Sequence, residues 1–340
     1  AGNNAGIRAG MSDGSAPDYV YLLNSDAFPA PDAVRRLYDH LETHPKAGFV
    51  GSYIHGEDGA PHVTAFRFPS ASSELEGAMR FGPVSRALRH KSVPIGVPGA
   101  TQRVDWLAGA SIMMRQSVLD EIGLFDETFF LYFEETDLCL RAARAGYETH
   151  YVRDSEVAHI GSVSTGMKKW QRIPGFWLDS RWHYFSKNHG RGYAALATLM
   201  HALGELEEAL SEHPETRFLL AHAGTSGGVE ERQAPLGTLP PILRALLSRY
   251  ENLYIDLSWS VKDHYLIDDG VPSEEWLALI REFPDRFTLG TDLVGHFDSM
   301  ERVLGEYEPL LEALPKKVAE QLSHGNADAL VPKKGAVPLP

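Results

Sequence analysis

The chain has 340 residues, with 32 Lys and Arg against 46 Asp and Glu. The net charge of −14 excludes general nucleic-acid binding and gives no general attraction to anionic lipid. A composition 43% hydrophobic and 23% charged is that of an ordinary soluble globular protein, long enough for two domains with their own cores.

No apolar run approaches the roughly 20 residues that span a bilayer. The single cysteine, Cys139, excludes an internal disulfide, is compatible with a reducing compartment, and is expected to pack as a small apolar side chain. The sequence opens at Ala1 without Met or a signal segment, as though cut from something longer.

In chain order, Asn3 to Gly10 is rich in turn-formers and reads as an irregular segment. Asp18 to Leu23 is a nearly continuous apolar run, as expected for a strand buried on both faces of a parallel sheet. It delivers Asn24-Ser25-Asp26 to the carboxyl end of that strand, where open α/β sheets bind their ligands. An Asx turn before Pro29 is the alternative use of these residues.

Ala33, Val34, Leu37 and Leu41 recur at helical spacing, and the helix should stop near His44-Pro45. Phe49 to Ile54 is the next strand. The stretch 56–99, rich in Gly, Pro and Ser with Arg80, Arg86, Arg89, His90 and Lys91, reads as a surface loop, with an acceptor or lid region as the alternative. Trp106 to Met114 is expected to be a strand.

After the turn Gly123-Leu124-Phe125-Asp126-Glu127, the aromatic run Phe129 to Phe133 ends on Glu134, Glu135 and Asp137. Three carboxylates directly after buried-looking aromatics are costly unless something positive or proton-accepting uses them. Asp137 and Arg141, four apart, should pair along a helix and brace it. Gly146 to Val152 is a further strand, and His159 follows it.

Beyond about residue 200 the pattern changes. Arg217–Ala221, Asn252–Ser258 and Arg286–Gly290 read as strands, with helical stretches over 242–250 and 274–283 between them. Their ends carry His222-Ala223-Gly224 and Thr291-Asp292. Polar residues at successive strand ends with helices between describe part of a (β/α)₈ barrel.

Trp106-Leu107-Ala108-Gly109-Ala110, Phe125-Asp126-Glu127 and Glu134-Glu135-Thr136-Asp137-Leu138-Cys139-Leu140-Arg141 together resemble the family-2 glycosyltransferases, particularly their rhamnosyltransferase-like branch. The resemblance implies a donor site drawing on Asn4, Asn24, Asp26 and Trp106. Asp26 matches the last carboxylate of the family's Asp-x-Asp-like metal motif, with Asn24 replacing the first. His159 lies in a segment similar to the family's His-x-x-Gly-x-Ser element, its glycine one residue early, and would complete a Mn²⁺ or Mg²⁺ site. Glu135 matches the usual base of an inverting transfer, with Glu134 in reserve. Arg181 to Gly190 resembles the family's closing segment, whose basic groups could meet phosphates or anionic lipid head groups.

Residues from about 205 to 332 resemble the carboxyl-terminal half of the metal-dependent amidohydrolases. That resemblance implies a catalytic or metal-adjacent His222, a metal aspartate at Asp292, a closing motif at Gly325-Asn326-Ala327, and Zn²⁺. The family's first-strand His-x-His pair is missing before His222, and the transferase's first βαβ unit should precede Ala1.

The expectation is therefore an α/β chain: residues 1–200 a partial nucleotide-diphospho-sugar transferase sheet of GT-A type, residues 201–340 a partial (β/α) barrel. The expected function is inverting transfer of a sugar from a nucleotide-diphosphate donor to a glycan or lipid-linked acceptor, in the cytoplasm or peripherally at the inner membrane face. The alternatives are a metal-dependent amidohydrolase or decarboxylase, and an inactive chimera of two fragments.

Overall fold

The structure, a computed structural model, describes residues 2–78, 89–160, 173–224, 239–258, 265–291 and 297–330. The chain divides into two units, Ala1–His201 and Ala202–Pro340.

In the first unit the elements run α1 (Gly2–Ala9), β1 (Tyr19–Leu23), β2 (Ala27–Pro29), α2 (Ala33–Thr43), β3 (Ala47–His55), β4 (Ala65–Phe66), α3 (Ala71–Ala78), β5 (Gln102–Val104), β6 (Trp106–Leu107), β7 (Ser111–Arg115), α4 (Gln116–Ile122), α5 (Glu134–Arg144), β8 (Glu148–His159) and α6 (Gly175–His189). Helix α7 (Arg191–Glu212) follows, and the division between the units falls within it.

The main sheet has the order β1-β7-β3-β8-β2, with β5 added on β8. Only the β3–β8 pair is parallel among the described pairings of this sheet. Strand β3 sits at its centre and is buried along nearly its whole length, which explains its mostly apolar sequence, with the buried Ser52 hydroxyl bonded to those of Ser111 and Ser155 at 2.8 Å each.

Ala33, Leu37 and Leu41 have no exposed surface; Leu37 and Leu41 pack with Ala47, Val50, Met113 and Val152, and Ala33 with Ile54, Ala110 and Val157. Burying a leucine this way contributes about 2 kcal/mol, so the i, i+4, i+8 stripe fixes α2 against this face. The other face is covered through Val118, Leu119, Phe125, Leu138 and Cys139, packed with Phe49, Ile112 and Met114. Burial pushes the Cys139 thiol up to about 12, so it is inert apolar filling.

Four local expectations are corrected. The amino-terminal stretch is a helix, because Asn4 and Ile7 on one side of it are buried. Strand β1 is only partly buried and lies antiparallel to β7 at the end of the sheet order. Its Tyr19 and Tyr21 join one core cluster, and its Val20 and Leu22 join another. Cover on both faces makes the run apolar throughout, while the end position leaves it partly open.

The strand expected over Trp106–Met114 is broken. Strand β6 pairs with β4, β7 pairs with β1 and β3, and the residues between leave the ladder at Ala108-Gly109-Ala110. The stretch 56–99 holds β4, α3 and a 3₁₀ turn at Arg89–Lys91 rather than loop alone; Arg80 and Arg86 lie outside the described residues.

The second unit contains β9 (Phe218–Leu220), α8 (Leu239–Arg249), β10 (Leu253–Asp256), the hairpin β11–β12 (Ile267–Asp268, Val271–Pro272), α9 (Glu274–Glu282) and β13 (Phe287–Thr288), then short helices to Leu330. Strands β9, β10 and β13 form a parallel sheet in the order β13-β10-β9, as successive βα units require. Leu243, Leu247, Ile255, Leu279, Phe287 and Tyr307 form its core. Asn326 donates its amide to the carbonyls of Pro284 and Phe287 at 2.8 and 2.7 Å. The Gly-Asn-Ala segment thus ties the last helix to the approach of β13.

Candidate active site

Helix α5 starts in an unusual way. Tyr132 and Phe133 both adopt left-handed backbone, with φ of 68° and 69°, and Phe133 is the residue that caps the helix. Such backbone costs on the order of 1–3 kcal/mol per residue and persists only where the surroundings over-determine it. Here the rings do so. Phe133 meets Trp177 and Tyr184 at centroid distances of 5.5 and 5.6 Å, and Tyr132 stacks on Phe176 at 6.4 Å.

Glu134 and Glu135 follow at once in the first helical turn. The Glu135 carboxyl lies against Gly109: a Cβ there would sit 2.3 Å from its Oε1, so position 109 admits no side chain without displacing the carboxyl. Burial, and then the charge of Glu134, push the Glu135 carboxyl up to about 8. Glu135 keeps a little accessible surface, yet the carboxyl itself is closely enclosed. Burial also raises Glu134, whose Oε2 is buried without a hydrogen-bond partner in the structure. The helix amino terminus favours ionised carboxylates, but desolvation outweighs that here.

The third carboxylate of the motif behaves oppositely. Asp137 has a fully buried side chain, and accepts from Arg141 Nε at 2.9 Å, Lys187 Nζ at 2.8 Å and Asn188 Nδ2 at 2.9 Å. Burial alone would raise its pKa; the bonds from Lys187, Asn188 and Arg141 outweigh burial and leave it lowered. Arg141 also donates to the carbonyls of Ile122, Gly123 and Leu124 at 2.6, 3.0 and 2.7 Å. It therefore braces the preceding turn as well as its own helix.

Asp126 in that turn accepts from His183 at 3.0 Å and from Lys187 at 2.8 Å. Burial acts to raise it, but these two bonds hold it well below the usual carboxylate range. The basic groups of the closing segment are thus spent on the protein's own carboxylates. Arg181, buried, likewise pairs with Glu74 at 2.7 Å. The expected contact of these groups with phosphate or lipid is corrected accordingly.

Asn4 is also placed otherwise than expected. It is buried, donates to Phe125 O and Glu127 Oε1 at 2.8 Å each, and accepts from Phe125 N at 3.1 Å. Its amide is occupied in holding α1 to the Phe-Asp-Glu turn, and a donor contact from it is set aside.

Next to Gly109 in the chain, Ala110 O accepts from Asn24 N at 3.0 Å. The Gly109-Ala110 break therefore lies between the acidic pair and the end of β1. Asp26 Oδ1 is 3.1 Å from His159 Nε2, and Asn24 Nδ2 is 3.3 Å from the same nitrogen. The fold brings these together because β2 pairs with the end of β8, Ala27 opposite His159.

Asp26 and His159 supply an oxygen and a nitrogen suited to Mn²⁺ or Mg²⁺. Among the described residues no group of three such side chains could hold a metal ion. The pair fits a cation whose remaining positions are filled by ligand oxygens and water. Trp106 stacks on Phe66 at 4.2 Å and donates its indole N–H to Arg67 O at 2.9 Å, which locks the ring beside β4. Residues 161–172, including the rest of the His159 motif, lie outside the described residues.

In the second unit, His222 Nδ1 lies 2.8 Å from Ser258 Oγ, which donates to Asp256 Oδ2; His222 and Asp256 are 3.9 Å apart. A Cβ at Gly290 would come within 2.8 Å of Asp256 Oδ1. The ends of β9, β10 and β13 therefore converge, and Asp256 and Ser258 join a site for which the sequence pointed to His222 and Asp292. Their signal was their place at the end of a strand. Asp292 lies outside the described residues, so a Zn²⁺ ligand set is not assembled from the described ones.

Residues 2–174 match the family model described as glycosyltransferase like family 2. Residues 157–333 match the model described as amidohydrolase. The chain belongs to both families. The α/β class follows, with a glycosyltransferase part ahead of an amidohydrolase part.

Among curated relatives, the N-acetylglucosaminyl-diphospho-decaprenol L-rhamnosyltransferase of Mycobacterium tuberculosis is 31% identical over 157 residues, covering 44% of this chain and 49% of that protein. Rhamnosyltransferase WbbL of Escherichia coli is 27% identical over 143 residues, covering 42% and 52%. A low-salt glycan biosynthesis hexosyltransferase of Haloferax volcanii is 28% identical over 188 residues, covering 55% and 56%. The chain thus spans about half the length of these relatives. A solved structure of GalNAc-T7 with UDP, GalNAc and Mn²⁺ covers 75% of this chain and 45% of its own at 14% identity, with a TM-score of 0.37.

Proposed function

We propose that the first unit is an inverting glycosyltransferase. It moves a sugar from a nucleotide-diphosphate donor to a hydroxyl of a glycan or lipid-linked acceptor, in the cytoplasm and peripherally at the inner membrane face. The observation that carries this reading is the enclosed Glu135 carboxyl against Gly109, with the end of β1, which leads into the Asp26–His159 pair, tied through Asn24 N to the adjacent Ala110 carbonyl.

Glu135 takes the proton from the acceptor hydroxyl as that oxygen bonds to the anomeric carbon, and the bond from that carbon to the diphosphate oxygen breaks on the opposite face. Asp26 and His159 would hold a divalent cation, which supplies positive charge for the departing diphosphate. Asn24 Nδ2 and Asp26 Oδ1 meet the same ring nitrogen of His159, so on cation binding that nitrogen would exchange the Asn24 contact for the metal, freeing the Asn24 amide for the donor. Among the described residues no helix is long and apolar enough to cross a membrane.

Titration with nucleotide-sugars, dTDP-rhamnose and UDP-sugars first, with and without Mn²⁺, is expected to raise the melting temperature for one donor only when Mn²⁺ is present. No shift with any donor would overturn the reading. The amidohydrolase half supports a second reading through the His222–Ser258–Asp256 convergence. Retention of Zn²⁺ by the purified chain, lost in His222→Ala, is its expected signature.

A further inference from the structure

Lys187 belongs to a segment whose role the donor and acceptor chemistry leaves open. Its ammonium carries three N–H donors, and two of them are directed at 2.8 Å to Asp126 Oδ2 and Asp137 Oδ2. The same nitrogen lies 5.8 Å from the centre of the Phe129 ring. Asn188 binds the remaining oxygen of Asp137 at 2.9 Å and the Tyr184 carbonyl at 3.1 Å, and Arg144 Nη2 donates to the Asn188 carbonyl at 2.7 Å. Helix α6 thereby reaches both the Phe-Asp-Glu turn and the first turn of α5.

The backbone adds the decisive link. Asp137 N donates to Phe133 O at 2.9 Å, so fixing Asp137 fixes the left-handed residue that starts the acidic helix. Without Lys187 the two carboxylates it joins would face each other with one fewer compensating charge, and like charges at that range repel. We infer that Lys187 is a positioning residue: it clamps Asp126 to Asp137 and so sets the start of the helix carrying Glu134 and Glu135, rather than binding the donor phosphates. The kinetic consequence rests on the proposed transferase reading; the geometric one does not.

The test uses the full chain as wild type, as Lys187→Met and as the milder Asn188→Ala, which removes a bond from the same carboxylate. Carboxyl ¹³C NMR follows the titration of the Glu134–Glu135 pair, and kcat is measured against donor KM. A loosened helix start admits water to the pair, so the upper midpoint is expected to fall by about one unit in Lys187→Met and by less in Asn188→Ala. Turnover is expected to fall about tenfold with donor KM unchanged.

An unchanged midpoint in folded Lys187→Met overturns the inference, and so does a rise in donor KM alone, which would mark a phosphate contact. Should Lys187→Met not fold, the midpoint in Asn188→Ala decides. A wild type that transfers no sugar removes the transferase reading, while the titration still decides the positioning role.

Discussion

Glu135→Gln is expected to lower turnover by about 10²–10⁴-fold, the usual contribution of a positioned base, with little change in donor KM. The amide keeps the shape of the carboxyl in the space left by Gly109 but accepts no proton. In the wild type, kcat/KM should rise with pH and level off above about 8, because burial and Glu134 hold the Glu135 proton up to about that value and only the ionised carboxylate is a base.

Stability should run the other way. The folded carboxyl binds its proton more tightly than the unfolded one, so its contribution is fully present below the ordinary glutamate value. That contribution is lost as pH rises through about 8. Glu135→Gln, which cannot ionise, should therefore melt above the wild type in alkaline buffer and lose that advantage in acid. A variant inactive and stabilised only at high pH would identify a carboxyl kept for chemistry at the expense of the fold. Retention of full activity would remove Glu135 from the mechanism and leave Glu134 as the base.

Asp26→Ala is the second large effect. Donor-dependent Mn²⁺ stabilisation, about 2.7 kcal/mol when free donor is a hundredfold above its Kd, should disappear. The fold should survive, since Asp26 is partly exposed and its backbone carbonyl still accepts from Ile160 N at 3.1 Å. His159→Ala removes the partner at 3.1 Å and should weaken donor binding about tenfold while leaving it measurable. Isothermal titration with and without Mn²⁺ separates the two. Equal Mn²⁺ response in wild type and Asp26→Ala would place the cation elsewhere.

How far these residues could be read from sequence depended on what kind of signal carried them. Helix α2 and the βα alternation of the second unit were legible because their apolar spacing is periodic and their burial follows it, and strand β3 because it is a short, mostly apolar stretch buried nearly throughout. Glu134, Glu135 and the Asp137–Arg141 pair were legible because charge directly after aromatics is costly without a purpose.

The uses of Asn4, Lys187 and Asn188 were not legible. Asn4 is 121 residues from the Phe125 backbone it binds, Lys187 is 50 from Asp137, and an amide or ammonium looks the same in sequence whether it meets a ligand or a distant carbonyl. The break at Ala108-Gly109-Ala110 was hidden for the opposite reason: its residues are small and apolar and pass for strand. Asp256 and Ser258 were overlooked because His222 and Asp292 drew attention to the first and last strand ends, when the parallel strand between them necessarily brings its own end to the same place.

Tyr132 and Phe133 put fold and site in competition over two adjacent positions. Glycine would take up their left-handed backbone at no steric cost and relieve about 1–3 kcal/mol of strain, against about 3–5 kcal/mol for deleting a packed aromatic ring. The aromatic rings that now hold the turn would go with the exchange, leaving a freer helix start and less constrained carboxylates behind it. The two positions therefore tie the strain of the turn to the burial of the acidic pair: a chain that gave up the one would also lose the other, and its glutamates should titrate like ordinary surface carboxylates.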